Sequence, residues 1–188
     1  MFTSAQPRFD ANKCKVHLKM LANRFKLLEG KKANLNKQMQ RAVAGLLREG
    51  KSESARIQTE HIIREDITIE VYEVLRQHVD ILIARFAVII SEPEPRKEVQ
   101  ESVCTLIYAG WLLGSEIPEL RALHEQFASK YGKPFAEEVT KNSSLYINPR
   151  VLKKLQHDIP DPALVDAVRS LDRVGPLWQP NRCELTTQ

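Results

Sequence analysis

Between Ala11 and Arg48 the apolar residues recur at alternating steps of four and three: Cys14, Leu18, Leu21, Phe25, Leu28, Leu35, Met39, Ala42 and Leu46. Only Lys32 interrupts the series. A mean spacing of about 3.5 residues is the seam of a long α-helix packed along a partner helix. The chain has 10 prolines, yet none falls between Pro7 and Pro93. Because proline inside a helix costs about 3 kcal/mol, that gap leaves room for two long helices and places shorter elements beyond residue 93. At about 1.5 Å per residue the first helix alone would be roughly 57 Å long.

Gly50 suits the end of the first helix and Ser52 the N-cap of a second, predicted over Ser52–Ile90. Its first half is charged, with an apolar stripe through Ala55, Ile62, Ile63 and Ile67. Its second half is apolar on most sides, through Val71, Val74, Leu75, Val79, Ile81, Leu82, Ile83, Phe86, Val88, Ile89 and Ile90, so more than one neighbour must cover it. Ser91-Glu-Pro-Glu-Pro95 ends the helix. Shorter helices are predicted over Lys97–Gly110, Glu116–Tyr131, Pro134–Thr140, Pro149–His157 and Pro162–Arg173. Asn148-Pro149 and Asp161-Pro162 open the last two, each a capping residue followed by proline at the first helical position. The expected fold is all-α. A long antiparallel hairpin (about 11–90) carries several shorter helices (about 97–173) packed back on its second arm. One core domain would span 1–174, with a flexible tail at 175–188.

A length of 188 residues with 43% apolar and 28% charged suits one domain with a real core. The net charge of +4 is unevenly placed. Residues 1–50 hold 11 Lys/Arg against 3 acids, and the remainder holds 17 against 21. Lys13, Lys15, Lys19, Arg24, Lys26, Lys31, Lys37 and Arg41 lie off the apolar seam, and Glu29 is the one acid between Ala11 and Arg48. One-signed charge along a helix points to an anionic partner. Near an acidic leaflet each such cation contributes about 1 kcal/mol. The alternative is a nucleic-acid-binding basic hairpin. The seam's one aromatic, Phe25, faces inward and offers no stacking surface.

Cys14, Cys104 and Cys183 are odd in number and far apart, which suggests neither zinc nor a disulfide framework and favours a reducing compartment. The N-terminus has no apolar signal-like run. The longest uncharged run, Ser102–Ser115, is 14 residues, short of the about 20 that a membrane span needs.

No phosphate-loop pattern occurs; neither Gly45–Gly50 nor Gly110–Gly114 fits one. His17, His61, His78, His124 and His157 form no relay pattern, and His78 sits in an apolar stretch as a core residue would. His61 and Glu65 share a helical face but lack a third metal ligand nearby. Glu60 and Arg64 are spaced as an ion pair on a solvated helix. The chain is therefore expected to be no enzyme and to need no cofactor.

Asn23-Arg-Phe-Lys-Leu-Leu-Glu29, Ala55-Arg-Ile57 and Glu60-His-Ile-Ile-Arg-Glu-Asp66 resemble the increased-sodium-tolerance family of ESCRT-III-related proteins. Glu70, Leu82, Arg85-Phe86, Glu101-Ser-Val-Cys-Thr-Leu-Ile107, Glu119-Leu120, Lys130-Tyr131, Asn148 and Lys154-Leu155 continue the likeness, which covers about residues 12–172. It implies an ESCRT-III-like hairpin fold and a non-enzymatic assembly and regulatory subunit. Such a subunit binds the C-terminal helix of another ESCRT-III protein and forms homo- or hetero-filaments on membrane. It modulates an AAA-type ATPase in multivesicular-body sorting and cytokinetic abscission. It is cytoplasmic and recruited to endosomes and the midbody. The resemblance marks Arg56, Glu60, His61, Arg64, Glu65 and Asp66 as a contact face. A groove for the partner's helix is expected around Val151, Leu152, Leu155, Leu164, Val165, Val168 and Leu171. Three features depart from the family: Gly30 replaces a frequent basic residue, Gly175–Gln188 resembles no family segment, and the family's long flexible region with a terminal interaction motif for the ATPase is not among these residues. Direct ATPase contact is thus not expected of these residues.

Overall fold

The computed structural model describes residues 8–141 and 146–156. Among the described residues the delimited helices are, in order, α1 (Ala11–Arg48), α2 (Ser52–Ala84), α3 (Phe86–Ser91), α4 (Lys97–Leu113), α5 (Pro118–Tyr131), α6 (Lys133–Lys141) and α7 (Pro149–Gln156). No described residue lies in a strand. The helix expected at Pro162–Arg173 and the tail from Gly175 lie outside the described residues.

The chain divides into two compact units. The described part of the first comprises residues 8–33 and 67–156; that of the second is 34–66. In the first unit the start of α1 and the second half of α2 share one core with α3 to α7. Leu18, Leu21, Phe25, Leu75, Leu82, Leu106, Leu120, Leu123 and Phe127 are all sealed within it. Phe25 meets Tyr72 with ring centroids 5.5 Å apart. Val71, Tyr72, Leu75, His78, Val79 and Leu82 are buried along one face of α2, within about 120° of arc. Ile81 on the other side is 37% exposed and Val74 and Ile83 are only half-buried, so the covering expected on most sides is partial.

The second unit is a small helical hairpin. Val43, Ala55 and Ile62 form its core, with Met39, Leu46 and Leu47 against them. The turn closes on Gly50 at φ +74°, a conformation that costs a residue with a Cβ but not glycine. Gly50 N–H donates to Leu47 O and Lys51 N–H to Leu46 O, taking up carbonyls that the end of α1 would leave unpaired. The helix begins at Ser52 itself, so the cap position falls on Lys51, one residue before the expected Ser52.

Two further expectations are corrected. The seven-residue seam holds only in part beyond Leu28, where Met39 and Leu46 still pack against the core of the second unit but Leu35 and Ala42 do not. The buried positions there are Asn36 and Val43, whereas Leu35 is 47% exposed and Ala42 is open to solvent. Cys14, Phe25 and Asn36 instead lie 11 apart, as do Lys32 and Val43 with Leu21. A straight helix of 3.6 residues per turn drifts about 20° per heptad, so a 3.5 spacing slides off the buried face unless the helices supercoil. The second long helix also breaks at Arg85, where φ is −105° and ψ is 27°. Arg85 Nη1 donates to Glu98 O at 2.8 Å, and the restarted helix points Phe86 and Ile89 into the core. An apolar run with no preferred face carries no sequence mark for that break.

Candidate functional site

Lys13, Lys15, Lys19, Lys26 and Lys31 are exposed on α1 in the first unit, and Lys37 and Arg41 are exposed in the second. Lys15 sits 5.7 Å from the ring centre of Phe86, and Lys13 lies 4.0 Å from Asp10 at the helix start. Arg24 departs from the expected face. Its Nε lies 2.6 Å from Glu119 Oε2 on α5, so its charge serves the fold. Glu29, the one acid in α1, turns toward α2 and meets Arg76 at 3.2 Å.

The charged block of α2 belongs to the second unit. Arg64 reaches Glu60 at 2.6 Å and Arg56 reaches Glu53 at 2.9 Å, one helical turn away in each case. His61 points to solvent. Asp66 accepts from Asn36 Nδ2 at 2.7 Å, and the same amide nitrogen lies 3.4 Å from Ile62 O. Asn36 is a buried polar residue at a core position of this hairpin. Its polar amide falls outside a seven-residue apolar repeat, so such a repeat does not mark it. No group of three or more potential metal ligands converges among the described residues.

Asn148 behaves as its pairing with Pro149 predicted. Its Oδ1 accepts from Arg150 N–H at 3.0 Å, capping α7. Its own N–H donates to Thr105 Oγ1 at 3.1 Å and its Nδ2 to Glu101 Oε1 at 2.8 Å, fastening α7 to α4. Lys154 of α7 pairs with Glu70 of α2. Val151, expected at a groove, is wholly buried in the core, while Leu152 and Leu155 are half-buried beside it. The first face of an amphipathic helix to be filled is the one against its own domain, and Val151 occupies that face. Leu164, Val165, Val168 and Leu171 lie outside the described residues.

Gly110 lies inside α4, in the stretch expected to be helical, and is a contact between helices. A Cβ there would stand 2.6 Å from Leu120 O and 2.7 Å from His124 Cβ, so α4 and α5 touch through it. His124 Nδ1 is 2.9 Å from Ile107 O across the same contact. Burial pushes the Cys14 and Cys104 thiols up to about 12, which leaves them protonated and inert. His78 is buried, with Nδ1 3.0 Å from Ser102 Oγ, and burial lowers its pKa despite the nearby Glu101. No described helix is long and apolar enough to cross a membrane.

Two long helices joined by a glycine turn, with short helices capped and ion-paired onto them, define an ESCRT-III-like helical domain. The chain belongs to the Ist1 family: the family model "Ist1: Regulator of Vps4 activity in the MVB pathway" matches residues 15–170. It is 37% identical over 159 residues to an IST1-like protein of Dictyostelium discoideum, covering 85% of this chain and 42% of that one. It is 32% identical over 162 residues to the vacuolar protein sorting-associated protein IST1 of Saccharomyces cerevisiae, covering 82% and 54%. The chain thus spans about half the length of the curated relatives it matches. Its fold matches the crystal structure of the S. cerevisiae Ist1 N-terminal domain in complex with the Did2 MIM motif. The TM-score is 0.78 at 30% identity, covering 87% of this chain and 90% of that one.

Proposed function

We propose that this chain is the ESCRT-III-like domain of a non-catalytic regulator of a Vps4-type AAA ATPase in the multivesicular-body pathway. It takes up the C-terminal MIM helix of a Did2-like ESCRT-III subunit and assembles with it at the endosomal membrane. The same assembly would serve cytokinetic abscission at the midbody. The observation that carries the reading is the likeness of 87% of the chain to a domain solved with a MIM motif bound.

The partner helix docks in the region of α7 and the second half of α2. Leu152 and Leu155 stay half-buried there and can extend onto an added amphipathic helix. Leu164, Val165, Val168 and Leu171 would continue the groove. The block Arg56, Glu60, His61, Arg64, Glu65 and Asp66 serves as a contact face toward a neighbouring subunit. The exposed lysines of α1 meet acidic lipid headgroups, each contributing about 1 kcal/mol.

Titrating a Did2-type C-terminal MIM peptide while recording amide shifts tests the placement. Shifts are expected in α7, in residues 162–171 and on α2. Shifts confined to the basic side of α1 would overturn the groove, and no binding at all would overturn the function.

A further inference from the structure

The outward side of α1 is not uniformly polar. Val16, Met20 and Leu27 are 53%, 48% and 73% exposed. At about 100° per residue these three fall within about 40° of one another, on the opposite side of the helix from Leu18, Leu21 and Phe25. Asn23 and Gly30 fill the stripe between and beyond them with neutral residues. Lys15, Lys19 and Lys26 border the stripe on one side, and Lys13 and Lys31 on the other. No exposed acid enters this arc: Glu29 is turned away to Arg76.

We propose that this face of α1 is a shallow membrane-inserting surface. Val16, Met20 and Leu27 enter the headgroup–acyl boundary of an acidic leaflet, and the bordering lysines hold its phosphates and carboxylates. An apolar stripe between two rows of lysine is the pattern of an interfacial helix. The apolar side chains give depth, and the lysine stems reach back to the headgroups. Charge complementarity decides the occupant. A second copy of the same face would set lysine rows against lysine rows, whereas an acidic bilayer supplies both the hydrocarbon and the opposite charge. The inference rests on the reading that the protein works at a membrane and adds that its attachment is partly hydrophobic.

The test is co-sedimentation with phosphatidylserine-rich vesicles and with phosphatidylcholine vesicles, at low and high salt. It compares the wild type with Met20→Ser/Leu27→Ser. Both side chains are exposed, so the variant should melt with the wild type. The wild type is expected to prefer the acidic vesicles and to keep part of its binding at high salt. The variant is expected to bind about tenfold more weakly and to be stripped completely by salt. A Leu27→Trp variant should be quenched by lipids brominated on the acyl chain, beyond the background of Trp111 and Trp178. Equal binding of variant and wild type, or no added quenching, would overturn insertion while leaving electrostatic attachment intact. Failure of the wild type to bind acidic vesicles would overturn insertion and the membrane part of the functional reading together. Loss of self-association in the variant without loss of vesicle binding would assign the stripe to a second copy.

Discussion

Arg24 Nε lies 2.6 Å from Glu119 Oε2, tying α1 to α5 in the first unit. The acid's side chain is 8% exposed and the arginine's 43%. Neither atom has an aligned hydrogen bond, so the contact is an ion pair between a sealed carboxylate and a half-open guanidinium. That imbalance removes one cation from the face α1 presents outward.

Arg24→Ala should therefore destabilise the domain more than loss of a surface lysine does. It leaves a buried carboxylate without compensation, at about 1–2 kcal/mol once solvent screening of the arginine is allowed for. Arg24→Ala/Glu119→Ala should recover part of the loss. A double-mutant cycle by denaturant unfolding measures it, and a coupling of zero would show that the pair contributes nothing.

Phe25 is fully buried against Tyr72. Phe25→Ala is expected to cost about 3–5 kcal/mol through lost transfer energy and the cavity left behind. A melting curve unchanged from the wild type would contradict the placement of this seam in the core.

Two helical glycines should respond in opposite ways to alanine. Gly110→Ala forces its Cβ to within 2.6 Å of the Leu120 carbonyl and should cost about 1–3 kcal/mol as α4 and α5 separate. Gly45→Ala meets nothing within 4 Å in α1 and should stabilise by about 0.5–1 kcal/mol. Equal effects at both positions would show that α4 and α5 do not meet through Gly110.

His78 has its pKa lowered by burial, so the native state favours the neutral ring. Its contribution is whole above its unfolded pKa of about 6.5 and is lost as pH falls from there through the depressed native value. Acidification toward about pH 5 should lower the melting temperature less in His78→Gln than in the wild type. The difference between the two pH profiles isolates this residue from the other titrating groups.

Cys14 and Cys104 are fully buried, with thiols pushed up to about 12. In the native protein at about pH 8 both should resist an aromatic disulfide reagent, and both should react once denaturant unfolds the core. Peptide mapping after a native-state pulse would show label at either position if the core were open there.

Which parts of this protein were open to a reading of residues alone follows from the range of the interactions involved. The two long helices, the glycine turn at Gly50, the cap at Asn148 and the proline start at Pro149 depend on neighbours within one or two turns, and the sequence by itself determined them. The cationic side of α1 was equally legible, because exposure and charge sign follow from helical periodicity. Tertiary structure alone decided the rest. The register of α1 beyond Leu28, with Asn36 and Val43 buried and Leu35 outside, depends on how far the helix departs from a supercoil. The break at Arg85 comes where its guanidinium donates to the carbonyl of Glu98. The fates of Arg24, Gly110 and Val151 depend on Glu119, Leu120 and the packed core around α7. Those partners stand many residues away along the chain, and no local pattern records a contact that exists only once the helices have packed.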